Sequence, residues 1–241
     1  MNPSDPFDGI LLVDKPAGPT SHDIVYKIRR HFQLKKVGHG GTLDPAATGL
    51  LVILLGRGTR ASNRFMSSDK TYEGTITLGV TTDSQDAEGM ILKQEDPSGI
   101  SRDQLESAMA NFKGDMFQTP PMVSAIKVEG VPLYKLARRG QEIERKPRFI
   151  HLYEFRLLDY TPPHGTFVLR CSKGTYVRTL CHDIGESLGV GAHLSQLRRT
   201  ESAGYSVKHA VTLDSLLTMQ QIDLLRVVLP LHTLGGMLQE A

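Results

Sequence analysis

The chain has 241 residues, enough for one large domain or two small ones, and its 39% hydrophobic and 22% charged residues are ordinary for a globular protein. No apolar run approaches the length that spans a membrane, so no membrane association is expected. Residues 1–8 lack the basic start and apolar core of a secretory signal. The two cysteines, Cys171 and Cys181, predict buried thiols in a reducing compartment, which favours the cytoplasm.

The net charge of +2 does not by itself predict a nucleic-acid binder, but the basic residues are clustered along the chain. Clusters that share one face would form a track for phosphate groups, whereas separate clusters are ordinary solvated surfaces. The clusters are Arg29, Arg30, Lys35 and Lys36; Arg57, Arg60 and Arg64; Arg138 and Arg139; Arg145, Lys146 and Arg148; and Arg198 and Arg199.

In chain order, the first predicted elements are a strand, a helix, a loop and a second strand. Residues 10–13 are an apolar run that ends in turn-forming residues, which predicts a buried strand. Thr20 can cap the helix that follows, with Asp23 in its first turn. A glycine-rich loop comes next. The apolar run at 51–55 predicts the second strand, and residues 57–66 predict a short helix.

Farther along, strands and helices mix without the regular alternation of a parallel sheet, which predicts an α+β fold. The predicted strands cover residues 72–78, 123–128, 150–158, 166–171 and 192–197. The predicted helices cover residues 102–112, capped by Ser101, then 133–139 and 175–188. The predicted loops cover residues 81–89 and 114–121. After Tyr205 only short helical patterns are found.

The segment from Gly38 to Leu51, GHGGTLDPAATGLL, is the most informative stretch. Three glycines within four positions suit a tight loop, and a carboxylate on such a loop, Asp44, is a candidate catalytic group. The alternative is structural, because aspartate followed by proline commonly starts a helix as its N-cap. His39 alone fits a hydrogen-bonded loop residue. The segment lacks the ending of a phosphate-binding loop, and the local pattern leaves both interpretations of Asp44 open.

Arg178 is the second informative residue, because it falls in the first turn of the predicted helix 175–188. A cation there faces the positive end of the helix dipole, so a compensating anion is expected. Arg178 is either solvated or in a structural ion pair, or it pairs with an RNA phosphate or a catalytic carboxylate. An arginine beside Asp44 would keep that carboxylate ionised and oriented.

Five motifs together resemble the TruB-type tRNA pseudouridine synthases, which isomerise uridine in the T-loop of tRNA. The motifs occur in the family's order, from about residue 9 to about residue 215. They are LLVDKP at 11–16, the glycine loop through Leu51, SDKTY at 68–72, SKGTYVRT at 172–179 and GAHLSQLRR at 191–199. The resemblance implies a pseudouridine synthase-like α+β fold with a mixed, largely antiparallel sheet flanked by helices.

The resemblance also implies roles for residues at the reaction centre. Asp44 would be the catalytic aspartate, and Arg178 would pair with it. Tyr72 would stack on the target uracil and move a proton, although a tyrosine in a strand is otherwise a core residue.

Further residues would hold the substrate. Tyr176 and Leu197 would line the uracil pocket, and His39 would help to hold the T-loop with the target base extruded. By local pattern alone, Tyr176 is an ordinary aromatic residue at a helix start and Leu197 a core residue. Lys15 is expected to be structural and to shape the loop near the site.

The implied reaction breaks the bond from ribose C1′ to uracil N1 and joins C1′ to C5. The product is an isomer, so no redox cofactor or nucleotide is expected. The nine histidines are scattered, so no metal site is expected either. The expected partner is the T-arm of tRNA, with no obligatory protein partner and a monomeric enzyme.

Two other functional classes stay open beside the isomerase. One is an RNA-binding or RNA-folding module that mainly remodels tRNA. The other is a metal-free hydrolase, which would need a second acid near Asp44, with Asp83 and Asp86 as remote candidates.

The domain prediction follows from the position of the motifs. A catalytic domain is expected over residues 1–205 and a short C-terminal extension over 206–241. No complete RNA-binding (PUA) domain, which many family members carry, is expected in this extension.

Overall fold

The computed structural model describes residues 6–124, 126–128, 130–137, 140–141 and 143–231. Its strands are β1 Gly9–Lys15, β2 Val37–His39, β3 Thr48–Leu55, β4 Lys70–Leu78, β5 Val80–Thr82, β6 Ile91–Gln94, β7 Gly114–Gln118, β8 Lys127–Val128, β9 Val131–Pro132, β10 Arg148–Thr161, β11 His164–Cys171, β12 Ala192–Ser202, β13 Tyr205–Ser206, β14 Val211–Thr212 and β15 Val228–Pro230. Its α-helices are α1 Ser21–His31, α2 Ser62–Ser67, α3 Arg102–Ala110, α4 Leu133–Ala137, α5 Val177–Ser187 and α6 Leu213–Leu217. Short 3₁₀ helices cover Gly56–Ala61, Val207–His209 and Gln221–Arg226.

The helix starts that carry capping signals are confirmed. Thr20 Oγ1 accepts from Asp23 N at 3.1 Å, and Asp23 Oδ2 accepts from Thr20 N at 2.9 Å, which completes a capping box at α1. Ser101 caps α3 through Gln104 in the same way. The predicted helix at 175–188 begins only at Val177, because the backbone of the preceding residue is still extended.

Several predictions in the middle of the chain are wrong in part. Residues 114–121 were predicted as a loop but contain β7, and the predicted loop at 81–89 begins inside β5. The predicted strand at 123–128 is reduced to β8, and residue 125 lies outside the described residues. β7 is a strand because it pairs with the remote β10, whereas β5 and β8 form short hairpins with β6 and β9. The periodicity of such short segments does not record either kind of pairing.

Elsewhere the predicted strands and helices are confirmed, but their first or last residues differ from the predicted ones. The predicted strand at 192–197 is the first half of β12, and the pair predicted at 150–158 and 166–171 is the hairpin of β10 and β11. The predicted helix at 57–66 divides into a 3₁₀ helix and α2. In the predicted helix at 133–139, α4 is confirmed, while residues 138 and 139 lie outside the described part of the chain.

The chain forms two compact units. The discontinuous unit comprises the residues up to Tyr72 together with those from Leu197 onward, and the continuous unit comprises Glu73–Gln196. β4 and β12 each contain one of the two points at which the chain passes between units.

β1 is the central strand of the discontinuous unit. β3 pairs with it antiparallel along its whole length, while β14 and β15 pair with different halves of its other edge. The expectation of only helical patterns after Tyr205 is therefore wrong in part, because two- and three-residue strands carry no readable period. The core beside this sheet is formed by Ile10, Leu12, Leu50, Val52, Leu54, Ala61 and Phe65.

The continuous unit is built on the antiparallel pair of β10 and β11, with β7 on the free edge of β10 and β4 beside β11. Helix α3 contacts both β10 and α5. Cys171 and Cys181 are buried thiols that form no disulfide, as predicted, and burial raises the pKa of the Cys181 thiol. The predicted α+β class, with a largely antiparallel sheet and helices, is confirmed.

Among the described residues, no helix combines the length and the apolar character that crossing a bilayer requires.

Gly49 provides a test of the contact between β3 and β12. Its φ is +99°, and a Cβ placed there would lie 2.3 Å from the carbonyl oxygen of Arg199, across the parallel pair of these strands. We expect Gly49→Ala to lower the free energy of unfolding by about 2–4 kcal/mol, from backbone strain and overpacking together. Urea denaturation measures this change.

Gly204→Ala is the matched control. Gly204 has φ +80°, and among the described residues no heavy atom outside Gly204 and its two chain neighbours lies within 4 Å of the point that an added methyl group would occupy. The substitution should cost only the backbone strain, about 1–2 kcal/mol. Equal losses in the two variants would contradict the proposed close contact.

Candidate active site

Asp44 lies in a turn that precedes β3. The backbone N–H of Ala47 donates to Asp44 O at 3.1 Å, and the strand begins at Thr48, so no helix starts after Asp44. The helix-cap interpretation of this residue is therefore wrong. The side chain of Asp44 is exposed on the loop.

Lys15 holds the loop from the side of β1. Its fully buried ammonium donates to Pro45 O at 2.9 Å and to Ala47 O at 2.7 Å, and also to Pro16 O at 2.9 Å. A buried ammonium is tolerated only when its donors are satisfied, so the carbonyls of the loop are part of the environment that Lys15 requires. The predicted structural role of Lys15 is confirmed.

Arg199 holds the loop from the side of β12 and is only 2% exposed. Nε donates to Leu50 O at 2.7 Å, Nη1 to Thr42 O at 3.2 Å and Nη2 to Gly41 O at 3.1 Å. One planar guanidinium thus joins carbonyls on both sides of Asp44. Sequence reasoning placed Arg199 only in a basic cluster, and a solvent-facing role for it is wrong.

Ser21 completes the attachment of the loop at Leu43. Ser21 Oγ donates to Leu43 O at 3.0 Å and accepts from Leu43 N at 2.9 Å. Gly18 N adds a bond to Pro45 O at 2.9 Å. The backbone on both sides of Asp44 is therefore fixed by main-chain and side-chain donors before any substrate is present.

His39 is half-buried beside the loop, and Gly41 N donates to its Nδ1 at 3.4 Å. Burial, and then the positive charges of Arg199 and His22, lower the pKa of His39 below its usual 6.5. The imidazole is accordingly neutral near pH 7, and the bond from Gly41 assigns the proton to Nε2.

Tyr72 and Leu197 complete the predicted site residues of the discontinuous unit. Tyr72 is buried in β4, and Leu197 is half-buried in β12, where its carbonyl accepts from Thr48 Oγ1 at 3.4 Å. The neighbouring basic residue Arg198 forms a two-bond ion pair with Asp14, at 3.0 and 2.7 Å.

Arg178 lies at the start of α5 in the continuous unit and is 5% exposed. Its Nη1 lies 3.3 Å from Asp86 Oδ2, its Nη2 donates to Val123 O at 2.6 Å, and its guanidinium lies 5.8 Å from the centroid of the Tyr176 ring. The expected compensating anion is confirmed and is supplied by Asp86. The pairing of Arg178 with Asp44 stays a prediction.

Asp86 is suggested by the sequence only as a second acid for a hydrolase. Its Oδ1 accepts from Ser84 Oγ and, at 3.1 Å, from Glu88 N, so the carboxylate is held by its own loop. Thr179 Oγ1 donates to Gln85 Oε1 at 2.8 Å, which attaches the same loop to α5 a second time. No local signal in the acidic segment identifies this pairing, because its partner is about ninety positions away in the chain.

Four of the predicted site residues therefore belong to the discontinuous unit and two to the continuous unit. Across the described ranges, no group of three or more histidine, cysteine, aspartate or glutamate side chains is arranged to hold a metal ion.

Two family models match the chain. Residues 29–177 match the model described as TruB family pseudouridylate synthase (N terminal domain), and residues 178–234 match the model described as tRNA pseudouridylate synthase B C-terminal domain.

Curated proteins and solved structures that are similar to this chain agree with these family matches. The tRNA pseudouridine synthase B of Opitutus terrae is 49% identical over 232 residues, which cover 96% of each chain. That of Syntrophotalea carbinolica is 52% identical over 217 residues, 90% of this chain and 71% of the relative. A solved Cbf5-Nop10-Gar1 complex matches with a TM-score of 0.70 and 32% identity, covering 88% of this chain and 54% of the matched chain.

Replacing Arg199 tests its hold on the loop. We expect Arg199→Lys to lower the free energy of unfolding by about 2–4 kcal/mol, because an ammonium does not reproduce three in-plane bonds and leaves buried carbonyls unsatisfied. Chemical denaturation measures the loss. Arg29→Lys, at an exposed position of α1, is the control and should be within about 0.5 kcal/mol of wild type.

The lowered pKa of His39 predicts a pH dependence of stability. The imidazole of His39 binds a proton more tightly in the unfolded chain than in the folded chain. The free energy of unfolding therefore has its full value above pH 6.5 and decreases as the pH falls below that value. His39→Gln should flatten the decrease in unfolding free energy between about pH 7 and pH 5. The exposed His209→Gln is the control, and an equal flattening there would contradict the assignment.

Proposed function

The chain belongs to the TruB family of pseudouridylate synthases, and from this premise we propose that it converts one uridine in the T-loop of tRNA, position 55, to pseudouridine. Membership of this family makes the protein an isomerase that modifies RNA.

One observation carries the assignment of Asp44 as the catalytic aspartate. Asp44 is an exposed residue on a loop whose backbone is fixed by the buried cations Lys15 and Arg199 and by Ser21. A reacting group is most effective when its support does not have to be ordered during the reaction. The loop of Asp44 has this property, which supports a catalytic role for its carboxylate.

The reaction that we propose conserves every atom of the substrate except one exchanged proton. The C1′–N1 bond breaks with assistance from the Asp44 carboxylate, the uracil turns, and a C1′–C5 bond forms. The C5 proton passes to solvent, and N1 gains a proton. Carboxylates assist sugar chemistry in this way by attacking the anomeric carbon or by stabilising its positive charge. Since the base is retained, a second acid to activate water is not required.

Tyr72 and Arg178 are the two other groups that we assign to the reaction. Tyr72 offers a face on which the extruded uracil stacks, worth about 1–3 kcal/mol, which offsets part of the cost of extrusion. Arg178 would pair with Asp44 and hold its carboxylate ionised. Its guanidinium is oriented by Asp86 and Val123, which supports a fixed position for this group.

Tyr176 and Leu197 would form walls of the uracil pocket, and their apolar surfaces would exclude water that otherwise turns cleavage into hydrolysis. The neutral His39 would hold the T-loop from beside the catalytic loop. All residues assigned here fall within 1–205, which supports that range as the catalytic part and 206–241 as an extension.

We further propose that tRNA is bound mainly through its phosphates, with the T-arm as the part recognised. The exposed basic residues Arg29, Arg30, Lys35 and Lys36 support this mode of binding. The two buried cysteines form no disulfide, which fits a cytoplasmic enzyme. We propose that it acts as a monomer without an obligatory protein partner.

The decisive experiment replaces Asp44. We expect Asp44→Asn to lower the rate of tritium release from tRNA labelled at uridine C5 by about 10⁴-fold or more, because the amide cannot act as the carboxylate. The dissociation constant for the tRNA should stay within about threefold of wild type, since phosphate contacts dominate affinity.

Asp214→Asn is the matched control, an exposed aspartate in the first turn of α6, and it should keep the wild-type rate. Wild-type tritium release by Asp44→Asn would refute the catalytic assignment. Free uracil as the wild-type product would instead support a hydrolase. Unmodified tRNA, bound but never converted by the wild type, would support an RNA-binding or RNA-folding module.

A further inference from the structure

Gln118, the last residue of β7, binds the main chain of a single residue from a distant part of the sequence. Its side chain is 4% exposed. Nε2 donates to Tyr176 O at 3.0 Å, and Oε1 accepts from Tyr176 N at 2.8 Å. The amide thus pairs with both polar groups of one peptide residue, as a neighbouring strand would. Both residues belong to the continuous unit.

The pairing fixes the backbone of Tyr176 at the point where α5 begins. It is the N-cap residue, its backbone is extended at φ −98° and ψ 102°, and no capping bond comes from its side chain. The carbonyl of Tyr176 also accepts from Leu180 N at 3.2 Å, the first bond of the helix. Rotation of this peptide would leave the amide of Gln118 buried without partners, which is costly.

The segment that begins at Gln118 also reaches Arg178. Val123 O, five positions farther along, accepts from Arg178 Nη2 at 2.6 Å, and the guanidinium lies 5.8 Å from the centroid of the Tyr176 ring. Contacts from the two ends of residues 118–123 therefore fix the backbone of Tyr176 and the head group of Arg178.

We propose that Gln118 is a positioning residue for the isomerisation and that it acts by fixing the backbone, and so the ring, of Tyr176. The inference rests on the proposed function, in which Tyr176 forms a wall of the uracil pocket. A glutamine suits this position because its neutral amide offers one donor and one acceptor at the required spacing. A carboxylate would offer no donor to Tyr176 O, and an aliphatic side chain would offer neither.

The first test is Gln118→Met, which keeps the length of the side chain and removes both bonds. With enzyme in saturating excess over C5-labelled tRNA, the single-turnover rate constant should fall about 10- to 100-fold. The dissociation constant for tRNA should change by less than about threefold. A purely structural role would lower the fraction of folded enzyme, whereas the rate constant of the folded enzyme at saturation would stay at its wild-type value.

The second test asks whether Gln118 acts through the ring of Tyr176. In a Tyr176→Leu background, adding Gln118→Met should change the rate constant by less than about threefold, because the positioned ring is already absent. Full additivity of the two changes would overturn the inference. Gln94→Met, at an exposed position of β6, is the control and should keep the wild-type rate constant.

The outcomes separate this inference from the proposed function. A wild-type enzyme that forms no pseudouridine overturns the proposed function. A wild-type enzyme that forms it, together with a Gln118→Met variant of unchanged rate, overturns only the role of Gln118. If Gln118→Met does not fold, Gln118→Asn, whose amide is one methylene short, takes its place in both tests. Failure of both variants to fold makes Gln118 a determinant of folding and also overturns the inference.

Discussion

Two buried cations need hydrogen-bond acceptors, and this need determines the conformation of the Asp44 loop. The ammonium of Lys15 and the guanidinium of Arg199 are removed from water, and each obtains its acceptors from loop carbonyls. Leaving such a group unpaired costs several kcal/mol, far more than a turn of this length gains from its own local bonds. The loop is therefore specified by its surroundings, and this explains why its sequence alone was compatible with a helix start.

The same principle orients the start of α5 in the continuous unit. Arg178 faces an unfavourable dipole end, yet Asp86 and the carbonyl of Val123 lie at hydrogen-bonding distance. The amide of Gln118 binds the main-chain N–H and C=O of Tyr176, the N-cap residue of the same helix. In both units, residues to which we assign a role in the reaction are held by partners that are distant in sequence.

Features with local causes were predictable from the sequence, and features with distant causes were not. The capping box of Thr20 and Asp23 fixes the start of α1 within four residues, so its sequence signature was sufficient. In contrast, β7 and β15 are strands only because β10 and β1 offer edges to them. Lys15 was correctly expected to support the loop. The sequence does not distinguish the adjacent arginines 198 and 199, yet Arg199 is buried and Arg198 binds Asp14.

The pairing of β14 and β15 with β1 has a consequence for biosynthesis. The first strand emerges from the ribosome almost two hundred residues before the segments that complete its second edge. At the usual pace of translation this delay is on the order of ten seconds or more, long compared with the folding of a small domain. Residues 73–196 form their unit from one uninterrupted stretch and emerge during that interval. Until the last strands arrive, β1 presents an open edge and an apolar face, which is the condition under which nascent chains recruit chaperones.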